Sequence, residues 1–368
     1  MKEIKIILIA APEFSTNIAE KLQEKLPQIF EQTINNQVKW TIETVTDGFT
    51  SVAEDDKELL KGVISLLENK EWDYVISLTD IPLFNEDEVV LARVNYEYTF
   101  GLISLPACGW SLNKRLTDVV VQVVEDIYYK DIKITNEEQI DRVNQLFRLG
   151  KVERINESKR ETEDLRYIFS SKIYGLLTIL LGMTYDNRPW TIMSSLKSTI
   201  AVAFGSGSYA IIFPTLWTTS YVYEPWRLTL FMLLAIVSMG LWIIVGHNLW
   251  EKETVSDNRK YRILYNTATV LTLFLAVAIF YIILIGLFLM TIFVFVDPHY
   301  YADQVEINHL PNVMNFLQLA WLTASIGTVT GAVGVGLENE ENVRQTTYGY
   351  RQRQRYKILE KQKEEAED

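Results

Sequence analysis

Apolar positions along this chain alternate between two short periods before residue 133, then fuse into long uninterrupted runs after residue 190. Residues 4–10 form a nearly continuous β-branched run, suited to a strand covered on both faces in the middle of a sheet. Ile18, Leu22, Leu26 and Ile29 then recur at helical spacing behind Ser15 and Thr16, whose hydroxyls can cap free backbone N–H groups. Residues 37–45 alternate as a strand, and residues 55–69 return to helical spacing through Leu59, Leu60, Val63, Leu66 and Leu67. Residues 74–78 read as a third buried strand, giving β-α-β-α-β. Two more strands, at 89–95 and 101–105, lie close enough in sequence to form a hairpin, and a helix over 112–127 closes the unit. The expectation for residues 1–133 is an α/β domain with a mixed sheet in three layers.

Residues 134–190 read as a connector. The stretch 135–164 is strongly charged, opens on a capping box (Thr135, Glu138), and carries Ile140, Val143, Phe147, Val152 and Ile155 as a sparse stripe, which predicts a mostly helical arm. Residues 173–183 are apolar but, at about eleven residues, too short to cross a bilayer. With Asn187-Arg188-Pro189-Trp190 behind them, they predict a helix lying at the cytoplasmic interface, anchored by Trp190 and Arg188.

Four runs are long enough to span: 198–217, 228–245, 268–296 and 313–336. None contains an ionised side chain, and Lys197 stands just outside the first. They predict an all-α transmembrane bundle of four helices over 191–337, followed by a charged tail over 338–368. The loop between the second and third runs carries Lys252, Arg259, Lys260 and Arg262, and the tail carries Arg344, Arg351, Arg353 and Arg355, whereas 218–226 and 298–311 contain no Lys or Arg. The positive-inside rule then places both termini in the cytoplasm of a multi-pass cell-membrane protein, with the lipid bilayer as a partner. The third run, about 44 Å long as a helix, exceeds a hydrocarbon core of about 30 Å and reads as one tilted helix projecting beyond the membrane. Gly205-Ser206-Gly207-Ser208 and the series Gly327, Gly331, Gly334, Gly336 allow close backbone approach, so these helices pack together or against another subunit, with a homo-oligomer through Gly327 and Gly331 as one arrangement. A broken helix forming a substrate site is the alternative.

Charge and chemistry narrow the functional classes. The formal net charge of −12, from 35 basic and 47 acidic residues, argues against a nucleic-acid binder. Cys108 is the one cysteine, so no intrachain disulfide or CxxC motif exists. All three histidines (His247, His299, His309) fall in the membrane half, so the first 133 residues cannot by themselves build a Ser-His-Asp triad, a Cys-His pair or an HExxH zinc helix. The first strand runs into Ala10-Ala11-Pro12-Glu13-Phe14 with no GxGxxG, and no P-loop motif occurs anywhere, so no cofactor is expected.

In open α/β sheets ligands sit at the carboxyl ends of the strands, which makes Thr79, Asp80, Arg93, Ser104, Cys108 and Lys114 the candidate pocket residues. The same residues suit turn formers, caps and surface charges. His299, Asp303, Glu306 and His309 are chemically competent metal ligands in the outside loop, although their spacing matches no recognised motif and a hydrated acidic loop accounts for them equally. His247, beside Asn248 and Trp250, reads as an interfacial anchor.

Five stretches carry a resemblance over nearly the full length: Asp73-Tyr74 with Leu78-Thr79-Asp80-Ile81-Pro82-Leu83; Gly101-Leu102-Ile103-Ser104-Leu105-Pro106; Asn187-Arg188-Pro189-Trp190; His247-Asn248-Leu249-Trp250-Glu251; and Leu264-Tyr265-Asn266-Thr267-Ala268-Thr269-Val270. Through them the chain resembles a family of uncharacterised bacterial membrane proteins with four membrane helices, whose members often carry the label methylenetetrahydrofolate dehydrogenase or cyclohydrolase. Enzymes of that name use a Rossmann-type nucleotide fold with a catalytic tyrosine and lysine, and the one pair here at such a spacing is Tyr129 and Lys133. The element order is also similar to a zincin fold, with Thr117-Asp118-Val119-Val120-Val121 where the zinc helix would carry HExxH. The missing catalytic groups favour a non-enzymatic membrane protein whose cytosolic domain binds a ligand or partner, coupled to a membrane anchor. The alternatives are a membrane-bound enzyme on a small or lipid substrate, that dehydrogenase activity included, and a transporter or channel.

Overall fold

The computed structural model describes residues 2–12, 14–48, 72–131, 150–157, 164–252 and 259–335, with single positions at 143, 146, 147, 344, 347, 350, 351, 354 and 357. The chain forms two compact units, one running through residue 186 and the other beginning at residue 187. The helix expected over 55–69 and the capping box at Thr135 and Glu138 lie outside the described residues.

The first unit is built on an eight-stranded mixed sheet: β1 (Lys2–Ala10), β2 (Val38–Thr46), β3 (Tyr74–Thr79), β4 (Leu83–Asn85), β5 (Glu88–Asn95), β6 (Phe100–Ser104), β7 (Val152–Glu157) and β8 (Asp164–Phe169). Their order is β2-β1-β3-β6-β5-β8-β7, with β4 paired to β5. The first four in that order are mutually parallel, and β1 runs between two parallel partners as its continuous apolar run requires. β5 and β6 form the expected antiparallel pair.

Two helices, α1 (Phe14–Thr33) and α2 (Leu112–Asp131), share one face of the sheet and meet across Trp40, whose ring lies 5.3 Å from Phe30 and 5.6 Å from Tyr128. The other face gathers Ile7, Ile9, Val75, Phe100 and Leu102 with Leu83, Val90 and Ile168.

The connector departs from the helical arm expected of it. Val152 and Ile155 lie in β7, and β8 follows, so the segment adds two antiparallel strands to the sheet beyond β5. In β8, Leu165, Tyr167 and Phe169 alternate inward at period two, while β7 at the edge exposes Glu153, a charge suited to a sheet edge. The next helix, α3 (Lys172–Asp186), lies along the sheet edge where β3 and β6 end. It packs on a 3-10 turn over Pro106–Cys108, and its small residues allow the approach. A Cβ added at Gly182 would overlap the Pro106 carbonyl oxygen, and one at Gly175 would stand 2.8 Å from Val89 Cβ.

Gly182→Ala is therefore expected to destabilise the protein at the upper end of the roughly 1–3 kcal/mol that overpacking costs, although a solvated helix position would gain up to about 1 kcal/mol from the same change. Thermal unfolding of the purified variant reads the sign directly, and a raised Tm would place α3 off the Pro106 turn.

Among its described residues the second unit contains three helices long and apolar enough to cross a membrane, and a fourth span if a bent pair is counted as one. The bent pair is α4 (Lys197–Ile211) and α5 (Pro214–Val222), which meet at 90°. The single span expected over 198–217 is thus broken at Ile212 and Phe213. Pro214 lacks an N–H and pushes the residue before it out of the helical region, and Phe213 is extended at φ −89° and ψ 116°. The Trp217 indole donates to the Ile211 carbonyl at 2.7 Å, satisfying an acceptor that the break would leave open.

The long spans are α6 (Pro225–Gly246), α7 (Arg259–Phe295) and α9 (Val313–Val335), with the short α8 (Pro298–Val305) between the last two. α7 is one continuous helix of 37 residues, as the third apolar run implied. Gly327 and Gly331 pack helix to helix within the chain: a Cβ at Gly327 would stand 2.9 Å from the Ala203 carbonyl oxygen, and one at Gly331 2.9 Å from Ala203 Cβ, whereas one at Gly205 would meet open space. Ser206 and Thr330 share a hydrogen bond of 2.6 Å across the same α4–α9 contact. Gly327 and Gly331 thus lie against α4 within the chain.

Candidate functional site

The strand order creates one position suited to a ligand. From β1 the chain goes to β2 on one side and afterwards to β3 on the other, so the carboxyl ends of β1 and β3 flank a topological switch point, the usual binding position in open α/β sheets. The β3–β6 register sets Thr79 directly opposite Ser104 at this edge. Asp80 follows Thr79 and is buried, and Cys108 closes the 3-10 turn after β6. Four of the six expected pocket residues, Thr79, Asp80, Ser104 and Cys108, thus come to the same edge of the sheet.

Their polar groups bind the turn that they flank. Thr79 Oγ1 accepts from the Ile81 N–H at 3.1 Å, the Ser104 hydroxyl donates to the Ile81 carbonyl at 3.0 Å, and the Leu105 N–H donates to the Thr79 carbonyl at 2.9 Å. Cys108 is fully buried, its Sγ 3.8 Å from the Ser104 carbonyl oxygen, and burial pushes the thiol pKa up to about 12, so little thiolate exists near neutral pH. Arg115, one position past Lys114, donates to the Cys108 carbonyl at 3.0 Å and lies over the Phe147 ring at 4.7 Å. Arg93 is directed elsewhere, to the Phe84 carbonyl at 2.8 Å, and Lys114 is exposed on the first turn of α2. At the switch point itself, Thr16 donates to the Ala11 carbonyl at 2.9 Å, while the fully buried Ser15 hydroxyl has no hydrogen-bond partner among the described residues.

A second polar cluster in the first unit went unseen in the sequence. Asp126 on α2 is buried, Arg154 on β7 donates to its Oδ1 at 3.0 Å, and the Tyr167 hydroxyl on β8 donates to its Oδ2. Arg154 and Tyr167 stand opposite each other in the β7–β8 ladder, so two neighbouring strands present both donors to one carboxylate. Burial pushes Asp126 up to about 6, against the pull of Arg154 and of Tyr167, and the neighbouring carboxylate of Glu125, also buried, adds to the rise. The legible signal was the run Val119-Val120-Val121 with Val123, Val124 and Ile127. Apolar residues around the whole circumference of a helix mean that it is buried on all sides, and the acids within it must then find partners.

A third polar cluster lies in the second unit. The Asn266 side chain accepts from the Glu251 N–H at 2.8 Å and donates to the Glu251 carbonyl at 3.0 Å, acting as a backbone stand-in. Asn187 donates to Thr272 Oγ1 at 2.8 Å and accepts from Arg351 at 2.8 Å, and Arg344 Nε donates to the His247 carbonyl at 3.1 Å. The stretches 187–190, 247–251 and 264–270 supply most of these groups. His247 is buried as the residue capping α6, where a surface anchor was expected, and Asn248 and Trp250 are the exposed residues of that stretch. Arg344 and Arg351, two of the described positions after residue 337, therefore bond within the second unit.

Among the described residues no three His, Cys, Asp or Glu side chains gather closely enough to hold a metal ion, and His299, Asp303, Glu306 and His309 are all described. The loop has other uses for its polar groups. Asp297 caps α8 by accepting from the His299 and Tyr300 N–H groups, Glu306 ends that helix in the left-handed region at φ 59°, and His309 Nδ1 lies 3.0 Å from the Leu310 carbonyl oxygen. No protein-family model, curated protein or solved structure matches the chain.

Proposed function

We propose that this is a multi-pass membrane protein whose α/β unit binds a ligand or partner in the cytoplasm and whose helical unit anchors that unit and carries the binding event to the membrane. The observation that supports the binding role is the switch point between β1 and β3, with Thr79, Asp80 and Ser104 at its rim. Neither an imidazole nor an accessible thiolate lies among the described groups at that rim, which favours binding over nucleophilic catalysis. The test is thermal unfolding of the full chain in nanodiscs against nucleotides, NAD(P), folates, lipid headgroups and divalent metals. A ligand that binds the native state raises Tm. One class of compound is expected to raise it, and Asp80→Asn is expected to remove that rise. A rise with folate and NADP together would favour the dehydrogenase reading instead, and no rise with any of them would count against a small-molecule site.

The orientation rests on the distribution of Lys and Arg, with Lys252, Arg259, Lys260 and Arg262 inside and the α8 loop outside. A cysteine in place of Asp303 is expected to react with an impermeant maleimide in intact cells, and labelling that requires permeabilisation would reverse the topology. A second reading, a transporter, draws on the 90° break between α4 and α5, since discontinuous helices line many substrate sites. Substrate flux in liposomes, abolished by closing the break with Pro214→Ala, would favour it over the anchor.

A further inference from the structure

We infer that the outer face of α3 is a membrane-surface contact, laid in the interfacial zone of the bilayer and roofing the strand-end site of the α/β unit. This inference rests on reading the second unit as membrane-spanning.

α3 has two unlike faces. The inner one, with Gly175, Thr178, Ile179, Gly182 and Met183, is buried, and its glycines bring the helix close to Val89 and the Pro106 turn. The outer one exposes Ile173 at 74%, Leu177 at 54% and Leu181 at 47%, a stripe at helical i, i+4, i+8 spacing. Apart from this stripe, the large hydrophobics exposed among the described residues of the first unit are Tyr98, Trp110 and Ile155, each less exposed than Leu181. Trp110 belongs to the same region, its ring 5.3 Å from Tyr185 in the last turn of α3.

The occupant follows from the chain. At 15 residues and about 22 Å of helical rise, α3 cannot cross a bilayer, and its inner face is already taken by the sheet. It ends at Asp186, the residue before the second unit begins, and a short stretch with a 3-10 turn over Pro189–Ser194 leads from it to α4 at Lys197. A short helix with one apolar face, covalently next to membrane spans and flanked by tryptophan, has the features of a segment lying in the headgroup and acyl boundary. Lys172 opens the helix, its ammonium 3.0 Å from the Asp87 carboxylate, and Arg188 follows its end. Because the inner face closes over Pro106–Cys108, a ligand of the strand-end site would meet α3 on the bilayer side.

The test uses the full chain in liposomes, with nitroxide labels placed singly at 173, 177, 181, Glu24 on α1, and Ile282 on α7. All five side chains are exposed, so the labels displace no packing, and the buried Cys108 leaves an unlabelled background. At 173, 177 and 181, collision with oxygen is expected to exceed collision with a water-soluble nickel chelate several-fold, and at Glu24 the order is expected to reverse. Nickel access at 177 and 181 equal to that at Glu24, or shelter from both reagents as under a second copy of the chain, would overturn the inference. If Ile282 also reports nickel, the membrane reading of the second unit fails, which separates the two failures.

Discussion

A chain ended at residue 133 is expected to show no cooperative unfolding, whereas one ended at residue 186 melts in a single transition. The shorter piece keeps α1, α2 and the parallel half of the sheet but loses β7, β8 and α3. β5 would lose its antiparallel partner β8 and become a raw edge, and the Pro106 turn would lose the helix packed on it. Asp126 would lose both Arg154 and Tyr167. Removing one partner of a buried pair costs roughly 3–5 kcal/mol, against a total stability for a domain of about 5–15 kcal/mol, so this loss together with the stripped sheet face exceeds what the unit can absorb. Circular dichroism melts of the two purified pieces decide the matter. A sharp transition in the 1–133 piece would make the added strands and α3 an appendage to a self-sufficient domain.

Arg154→Ala in the full chain is expected to lower the stability of the first unit by roughly 3–5 kcal/mol near neutral pH, because it leaves the Asp126 carboxylate buried without its cation. The pH dependence distinguishes this mechanism from lost packing. Asp126 is raised from 3.8 to about 6 in the folded protein, so the native state holds a proton that the unfolded chain releases. Its contribution to stability is fully present below pH of about 3.8 and is lost as pH rises through about 6, on the order of 3 kcal/mol at about 1.4 kcal/mol per unit.

Removing Arg154 removes an interaction that favours the carboxylate, which moves this window to higher pH. The variant is therefore expected to regain part of its lost stability at pH 5, where Asp126 is protonated. Asp126→Asn is expected to flatten the slope between pH 4 and 6 and, combined with Arg154→Ala, to recover much of the deficit at pH 7. Chemical denaturation followed by tryptophan fluorescence at pH 5 and pH 7 reads all four proteins. A deficit of equal size at both pH values would assign Arg154 a packing role alone.

Much of the fold was legible because burial imposes periods on local sequence. The continuous run 4–10 had to be a central strand, the spacing of Ile18, Leu22 and Leu26 had to be a helix facing one side, and the runs around 228–245 and 268–296 had to be long apolar helices. The absence of imidazole from the α/β unit, and with it the exclusion of several catalytic classes, could also be read directly. What stayed hidden depends on partners distant in sequence. β7 is a charged edge strand whose period is weak because one side faces water, and it became a strand through its ladder with β8. The 90° break at Pro214 could be suspected from proline chemistry, but its carbonyl is satisfied by Trp217, whose indole is held among Tyr300 and Tyr301.

The pocket residues divide in the same way. Strand ends located Thr79 and Ser104, because carboxyl-end loops follow from the alternation of strands and helices. That their hydroxyls are committed to Ile81, and that Arg93 turns away to Phe84, was decided by register and side-chain direction. By itself the sequence determined the elements, the apolar segments and the chemistry that is missing, since each depends on residues within a few turns of one another. Only the tertiary structure decided the far ends of the sheet, the partner of Asp126, the cover over the glycines and the side of α3 left bare. Those depend on which surfaces meet, and a surface is buried only once the residues that cover it are in place.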